Sequence, residues 1–350
     1  MKLAGDDDTK LAVVDSLFRE AWKRYLALNS YLKTPGHELE RFTSRLKTGF
    51  IAYFVDSLNQ AKADYQEAIA LRPALGNRVQ DTLLFLPYLY TGAVFYYQND
   101  YDSSVYYYKM AEKVSDESPR PLYESQRLFN RLGVMFYDAG NYRQARNYFE
   151  KAINLLEQGN STPGMLAAYR LNIASLLVKL EDYSSARRLY ESLLPNADFE
   201  NEIYHNIGII ALREQEPRKA LAAFNKVRYD ADRKNTDLCY NKALAHDMLG
   251  NADSADLWVL RAQAENIRWN GRRANATLGL IEKFQGDRAA RMRQYDNASE
   301  FYQQALTQFS PRFSNTDPAT NPDQFTASGS YINLFNTLSA KAENFKNQFD

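Results

Sequence analysis

The chain has 350 residues and balances 43 Lys plus Arg against 43 Asp plus Glu, so no global field draws it to nucleic acid, an anionic membrane or a strongly charged partner. Apolar residues make up 45% of it, enough for a core, and the single cysteine, Cys239, excludes an intrachain disulfide framework. No apolar run approaches a membrane span, and the N-terminal MKLAGDDDTK carries acid where a signal peptide needs an apolar stretch, so the expected location is cytoplasmic.

Asp6, Asp7 and Asp8 stand ahead of the first predicted helix. They lack the spaced ligands and glycine turn of a calcium loop, and the helix dipole favours them as a solvated helix start. From about Lys10 to Leu32, Leu11, Val14, Leu17, Phe18, Trp22, Tyr25 and Leu28 fall on one broad face, until Thr34, Pro35 and Gly36 end the helix. Residues 1–37 are expected to cap whatever follows.

From residue 38 the chain repeats itself, and the clearest copy runs from Phe129 to Leu156. Leu132, Gly133 and Phe136 share one face of a first helix, Gly140 and Asn141 break it, and Tyr142, Ala145, Phe149 and Ala152 line a second. The small residue within the first helix recurs at Gly49, Gly92, Gly133, Ala174, Gly208, Ala243 and Gly279. Another follows twelve positions later at Ala61, Ser104, Ala145, Ala186, Ala220 and Ala255. Four beyond it stands an aromatic, Tyr65, Tyr108, Phe149, Tyr190 or Phe224, with Val259 in the sixth copy. In the seventh copy Gly279 lies sixteen residues before Tyr295, where Gly133 lies nine before Tyr142, which predicts about two extra helical turns. Ala298, Tyr302 and Ala305 then resume the register.

This pattern resembles the tetratricopeptide repeat (TPR) over residues 38–310. The resemblance implies an all-α fold, a right-handed superhelical solenoid of about seven helix hairpins, serving as a binding scaffold and not as an enzyme. The first three marker spacings, 43, 41 and 41 residues, exceed the later 34, 35 and 36, which predicts taller early hairpins. A Pro/Asn/Ser-rich loop over 311–330 precedes a last helix over 331–350 with Leu334, Leu338, Ala342 and Phe345 on one face.

No constellation in the sequence points to catalysis. The three histidines, His37, His205 and His246, have no metal spacing, no phosphate loop is present, and Cys239 stands at a packing position where a buried, inert thiol is expected. No catalytic residue, metal or cofactor is therefore expected. In a TPR array the first helices line the groove, and the residue two before the small marker is Asn172, Asn206 and Asn241 in three consecutive copies. A side-chain amide both donates and accepts, as the backbone of an extended peptide requires. The competing reading is that these amides bond neighbouring helices and fix their stacking. Arg127, Asn130, Arg131, Tyr137, His205 and Tyr240 complete a polar and aromatic peptide-binding face, so the expected partner is a protein or peptide. The Lys/Asn pattern that would clamp a C-terminal carboxylate is incomplete.

Two other stretches carry their own expectations. Arg268, Arg272, Arg273, Lys283, Arg288, Arg291 and Arg293 face only Glu282 and Asp287 in sequence, a basic surface for RNA or an acidic partner. It lacks a series of stacking aromatics, so a solvated face is the plainer reading and neither nucleic acid nor membrane is the expected partner. The segment 309–345 resembles the region that follows the repeats in bacterial TPR-CHAT proteins, through the Asn321-Pro322 step, a turn from Ser328 to Ser330, and Leu334, Leu338, Lys341 and Ala342. That resemblance implies a regulatory or sensor role beside a caspase-like protease domain, which this chain does not itself contain.

Overall fold

A computed structural model describes residues 4–34, 36–98, 100–159, 162–195, 197–229, 234–271, 273–310, 313–323 and 331–349. Among them every regular element is helical, and the contacts divide the chain into two compact units, residues 1–169 and 170–350. The first holds α1 (Ala4–Tyr31), α2 (Glu38–Phe54), α3 (Leu58–Leu75), α4 (Phe85–Tyr97), α5 (Tyr101–Glu117), α6 (Ser125–Asp138) and α7 (Tyr142–Gln158). Helix α8 (Pro163–Lys179) carries the boundary. The second unit continues with α9 (Tyr183–Leu193), α10 (Glu200–Arg213), α11 (Pro217–Phe224), α12 (Thr236–Met248), α13 (Ala252–Asn270), α14 (Ala276–Arg291), α15 (Tyr295–Phe309) and α16 (Tyr331–Phe349). The expected all-α array of TPR-type hairpins is the fold observed. Within each unit consecutive helices pair, and first helices also touch first helices, α2 on α4 and α10 on α12.

Five hairpins close where a ring of the second helix meets a glycine of the first. A Cβ added at Gly49, Gly92 or Gly286 would lie 2.8, 2.7 or 2.7 Å from the ring of Tyr65, Tyr108 or Tyr302, and at Gly133 and Gly208 closer still to Phe149 and Phe224. These distances are well inside van der Waals contact, so the helices approach this far only because glycine is there. The turn between the helices then needs a left-handed residue seven positions after the marker: Asp56, Gly140, Glu181, Gln215, Gly250 and Arg293 all have φ between 59° and 75°. The next residue caps the second helix in three hairpins, Asp100, Asn141 and Asp182 accepting from backbone N–H groups at 3.1–3.3 Å.

This register corrects the reading of the seventh copy. Gly286, not Gly279, stands sixteen residues before Tyr302 and seven before the left-handed Arg293, while a Cβ added at Gly279 would lie 2.7 Å from the Phe309 ring. The hairpin carries no inserted turns, for α14 has 16 residues and α2 has 17. The extra residues precede it, in the 19-residue α13 and its connection. Second helices of 18, 17 and 17 residues in α3, α5 and α7 exceed the 11 and 8 of α9 and α11, but α13 with 19 and α15 with 15 follow, so hairpin length does not simply fall along the chain.

At the N-terminal end α1 packs on α2, where Asn29 Nδ2 donates to Thr48 Oγ1 at 3.4 Å. Because α1 begins at Ala4, Asp6, Asp7 and Asp8 fall within it and not ahead of it; their side chains, with those of Leu11 and Val14, lie outside the described residues. At the other end α16 packs on α15, burying Leu334 beside Ala305, Leu306 and Phe309. Lys341 on α16 is buried and donates to Gln303 Oε1, Thr320 O and Asn321 Oδ1 at 2.7, 2.7 and 2.9 Å, which pins the proline-rich connection to the last hairpin. The turn from Ser328 to Ser330 lies outside the described residues.

Candidate peptide-binding faces

The predicted face residues divide between the two units. In the first, α6 presents Arg127, Asn130, Arg131 and Tyr137, all half-buried. Arg131 Nη2 donates to Tyr97 Oη at 3.1 Å, and its guanidinium lies 6.0 and 5.7 Å from the ring centres of Tyr96 and Tyr97. Arg127 pairs with Glu124 at 3.4 Å, and Glu124, buried and left-handed at φ 67°, accepts from Tyr90 Oη at 2.6 Å. The Tyr53 ring stands 4.6 Å from that of Tyr90, and burial pushes its phenol up to about 12. Tyr137 lies against Tyr142 with ring centres 5.8 Å apart, and Asn130 is engaged with a partner. The result is a phenol-rich surface crossed by two arginines one turn apart.

Beneath this surface lie two hydroxyls with nothing to bond. Tyr65 and Tyr108 are the ring partners of Gly49 and Gly92, almost wholly buried, and neither Oη has a hydrogen-bond partner. Ser104, in the same helix, gives its hydroxyl proton to Gly92 O at 2.8 Å. The other two tyrosines at this position differ. Tyr190 Oη lies 2.9 Å from Ser175 Oγ, and Tyr302 Oη donates to Asp287 Oδ1 at 3.0 Å. Ser175 and Asp287 each follow the small marker directly, where the first two hairpins have Phe50 and Ala93. Two further hairpins use Phe149 and Phe224, so packing alone needs no hydroxyl here.

In the second unit Asn172, His205, Asn206, Tyr240 and Asn241 are half-buried on the first helices α8, α10 and α12. They do not form a continuous ladder of amides. Asn206 Nδ2 donates to Glu202 O on its own helix at 2.9 Å, Asn241 Nδ2 lies 3.0 Å from His205 Nε2, and Asn172 is engaged with a partner. Burial holds His205 below the ordinary imidazole range, so near neutral pH its Nε2 accepts from Asn241. Tyr240 meets Phe284 edge-on, ring centres 6.0 Å apart, and burial pushes its phenol well up. Phe284 stands two before the true marker Gly286, the register position that carries asparagine in the preceding three hairpins.

The basic stretch is partly neutralised, in Arg288 and Arg291 by acids distant in sequence. Arg288 is buried and bridges Asp247, at 3.1 Å, and Asp256, both from the preceding hairpin. Arg291 pairs with Asp247 at 2.6 Å, Arg268 with Glu265 at 3.9 Å and Lys283 with Asp287 at 2.8 Å. Arg273 and Arg293 are exposed, and Arg272 lies outside the described residues. Cys239 is buried, which pushes its thiol up to about 11, against any nucleophilic role. Among the described residues no group of His, Cys, Asp and Glu is arranged to hold a metal, and no helix is long and apolar enough to cross a membrane.

Sequence reasoning missed Tyr53, Tyr90, Tyr97 and Glu124. The rule that selected the asparagines, two residues before the marker, also selects Tyr90 before Gly92. Tyr53 follows Gly49 by four, as Tyr137 follows Gly133. Glu124 gave no signal, because it lies in a connection and enters the site only through a left-handed backbone.

Residues 124–198 match the tetratricopeptide repeat family. Among curated proteins the chain is similar to the regulatory protein RapG of Bacillus subtilis (strain 168), 20% identical over 177 residues, which is 49% of this chain and 48% of RapG. Its matches span from 16% to 48% of the curated relatives' own lengths. Among solved structures it is similar to the apo form of the quorum sensor NprR from B. thuringiensis, with a TM-score of 0.62, 13% identity and 98% of both chains covered. It is also similar to the Rap conjugation gene regulator of the plasmid pLS20 in complex with the Phr* peptide, with a TM-score of 0.54, 12% identity, and 94% and 96% of the two chains covered. At these identities the likeness is one of fold.

Proposed function

We propose that this chain, a tetratricopeptide-repeat protein, binds an extended peptide or protein segment on the first-helix faces of its hairpins. The observation that carries the reading is that each unit presents half-buried polar and aromatic residues on its first helices, Arg127, Asn130, Arg131 and Tyr137 on α6 of the first, and His205, Asn206, Tyr240 and Asn241 on α10 and α12 of the second. The internal bonds of Asn206 and Asn241 each use one group of an amide that has two N–H donors and two lone pairs, so both retain capacity for a ligand. A Rap regulator of similar fold is solved with a peptide, and NprR is described as a quorum sensor, which supports peptide recognition as the use of this architecture. The narrower reading, in which occupancy regulates a caspase-like protease, rests on the 309–345 resemblance alone. Its test is whether a protease of that class co-purifies with the chain and changes activity when peptide is added.

The test of binding is a displayed random-peptide library selected on the wild type and on Asn172→Ala/Asn206→Ala/Asn241→Ala. Peptides that bind the wild type and lose the triple variant, with an unchanged helical melt, place binding on the amides. Equal binding to both forms would show that the amides only fix helix stacking.

A further inference from the structure

Two cations in the second unit converge on one aromatic ring with no acid between them. Lys242 on α12 is 9% exposed, its Nζ lies 4.6 Å from the ring centre of Trp258 on α13, and among the described residues it has neither a hydrogen-bond acceptor nor a carboxylate. Arg261, one turn along α13, holds its guanidinium 4.7 Å from the same ring centre and is likewise without an acid among the described residues. The flanking acids of α13 are committed elsewhere, Asp256 to Arg288 and Glu265 to Tyr229 Oη at 2.5 Å. Burial and the Arg261 charge hold the Lys242 ammonium below its ordinary range. Lysines stacked on rings in the first unit are balanced instead: Lys109, 5.1 Å from the Tyr148 centre, meets Glu112 at 2.7 Å, and Lys151, 3.8 Å from the Phe129 centre, meets Asp116 at 3.0 Å.

The ring itself lacks a partner that its counterparts have. Tyr107 and Tyr148 stand fifteen residues after their markers, as Trp258 does, and each bonds the residue seventeen after the preceding marker. Gln66 Nε2 donates to Tyr107 Oη at 3.3 Å and Lys109 Nζ to Tyr148 Oη at 2.6 Å. Before Trp258 that position is Asn225, where α11 has already ended at Phe224. Trp258 is half-buried, and its Nε1–H has no acceptor among the described residues.

We propose that Lys242, Arg261 and the indole N–H of Trp258 form a site for a doubly charged oxyanion, a phosphate monoester. A buried ammonium without a counter-charge is costly, and a second cation on the same ring adds repulsion. A dianion relieves both, one charge for each cation, where a carboxylate balances only one. Phosphate oxygens also match the donors: two accept the paired N–H groups of the guanidinium, and the third takes the ammonium. Arg261 is exposed, so its guanidinium can swing off the ring to meet the ligand. The site does not depend on the peptide-binding reading, and a free phosphate ester and a phosphorylated protein segment present it with the same group.

The test is a titration of the full chain at about pH 7.5, where phosphate carries nearly two charges. The indole N–H resonances of its three tryptophans are read by NMR, with Trp258 identified from Trp258→Phe. Sodium phosphate is compared with sodium chloride and sodium acetate at equal ionic strength. A saturating shift of the Trp258 resonance is expected in phosphate and in neither control, with roughly tenfold more phosphate needed in Arg261→Gln and in Lys242→Met. Because Arg261 is exposed, its variant keeps the test readable should Lys242→Met not fold. Equal shifts in phosphate and chloride, or a phosphate response unchanged in Arg261→Gln, would overturn the proposal. Acetate acting as strongly as phosphate would overturn it in favour of a carboxylate site. A phosphoserine peptide with neutral flanks is the second probe. Binding tighter than inorganic phosphate, lost in the same peptide with serine, assigns the site to a phosphorylated segment, and equal affinity assigns it to a free phosphate ester.

Discussion

Replacing Tyr108 by Phe should make the protein more stable, which is the reverse of what trimming a buried residue usually does. The ring stays against Gly92, and only a hydroxyl that is fully buried and unpaired is removed. Leaving such a group buried without a partner costs about 1–3 kcal/mol, so Tyr108→Phe and Tyr65→Phe are each expected to gain about 1–2 kcal/mol. Tyr190→Phe and Tyr302→Phe are the controls, since they remove hydroxyls bonded to Ser175 and Asp287 and should each lose about 1 kcal/mol. Urea unfolding of the full chain, with amide hydrogen exchange in α5 and α9 to localise the change, reads both signs. If Tyr108→Phe lost stability as Tyr190→Phe does, its hydroxyl would have a partner after all.

Gly133→Ala should cost about 1–3 kcal/mol by driving a methyl into the Phe149 ring, and adding Phe149→Leu should recover part of the loss in a thermal melt. Glu282 is buried and its carboxyl is pushed up to about 7, so its contribution to stability is complete below the ordinary value of 4.5 and is lost as pH rises to 7. Glu282→Gln should flatten that slope in urea midpoints and gain up to roughly 3 kcal/mol at pH 8. His205 has the opposite dependence, for burial lowers its pKa, and its contribution is present above 6.5 and lost as pH falls below it. His205→Gln should flatten the acidic limb of the same profile. Lys341→Met strands three acceptors, so faster proteolysis within 313–323 is expected at an unchanged melt of the first unit.

The hairpins were legible because their physics is local. A glycine, a turn and a ring at fixed intervals suffice to bring two helices together, and that interval stands in the sequence. The seventh hairpin shows the limit: two glycines on α14, Gly279 and Gly286, both pack under rings, and only the left-handed turn at Arg293 decides which holds the register. The candidate face was half legible. Arg127, Arg131, His205 and Asn241 could be placed by register, but what each bonds depends on neighbouring helices. So Arg288, counted as surface charge, proved to be a buried clasp between Asp247 and Asp256. Glu124 and the orphan phenols were beyond reach, since burial without a partner is a property of the packed state alone.

The sixteen-residue link between marker and ring has a consequence for how such a chain changes over time. Everything a hairpin needs to close lies between those two positions, whereas the segments joining one hairpin to the next vary freely in length. An insertion or deletion in a joining segment therefore leaves every closure intact, while one inside the window destroys a closure outright. Divergence among descendants of this sequence should accordingly concentrate in joining segments and face residues, and recognition can drift while the architecture stays heritable.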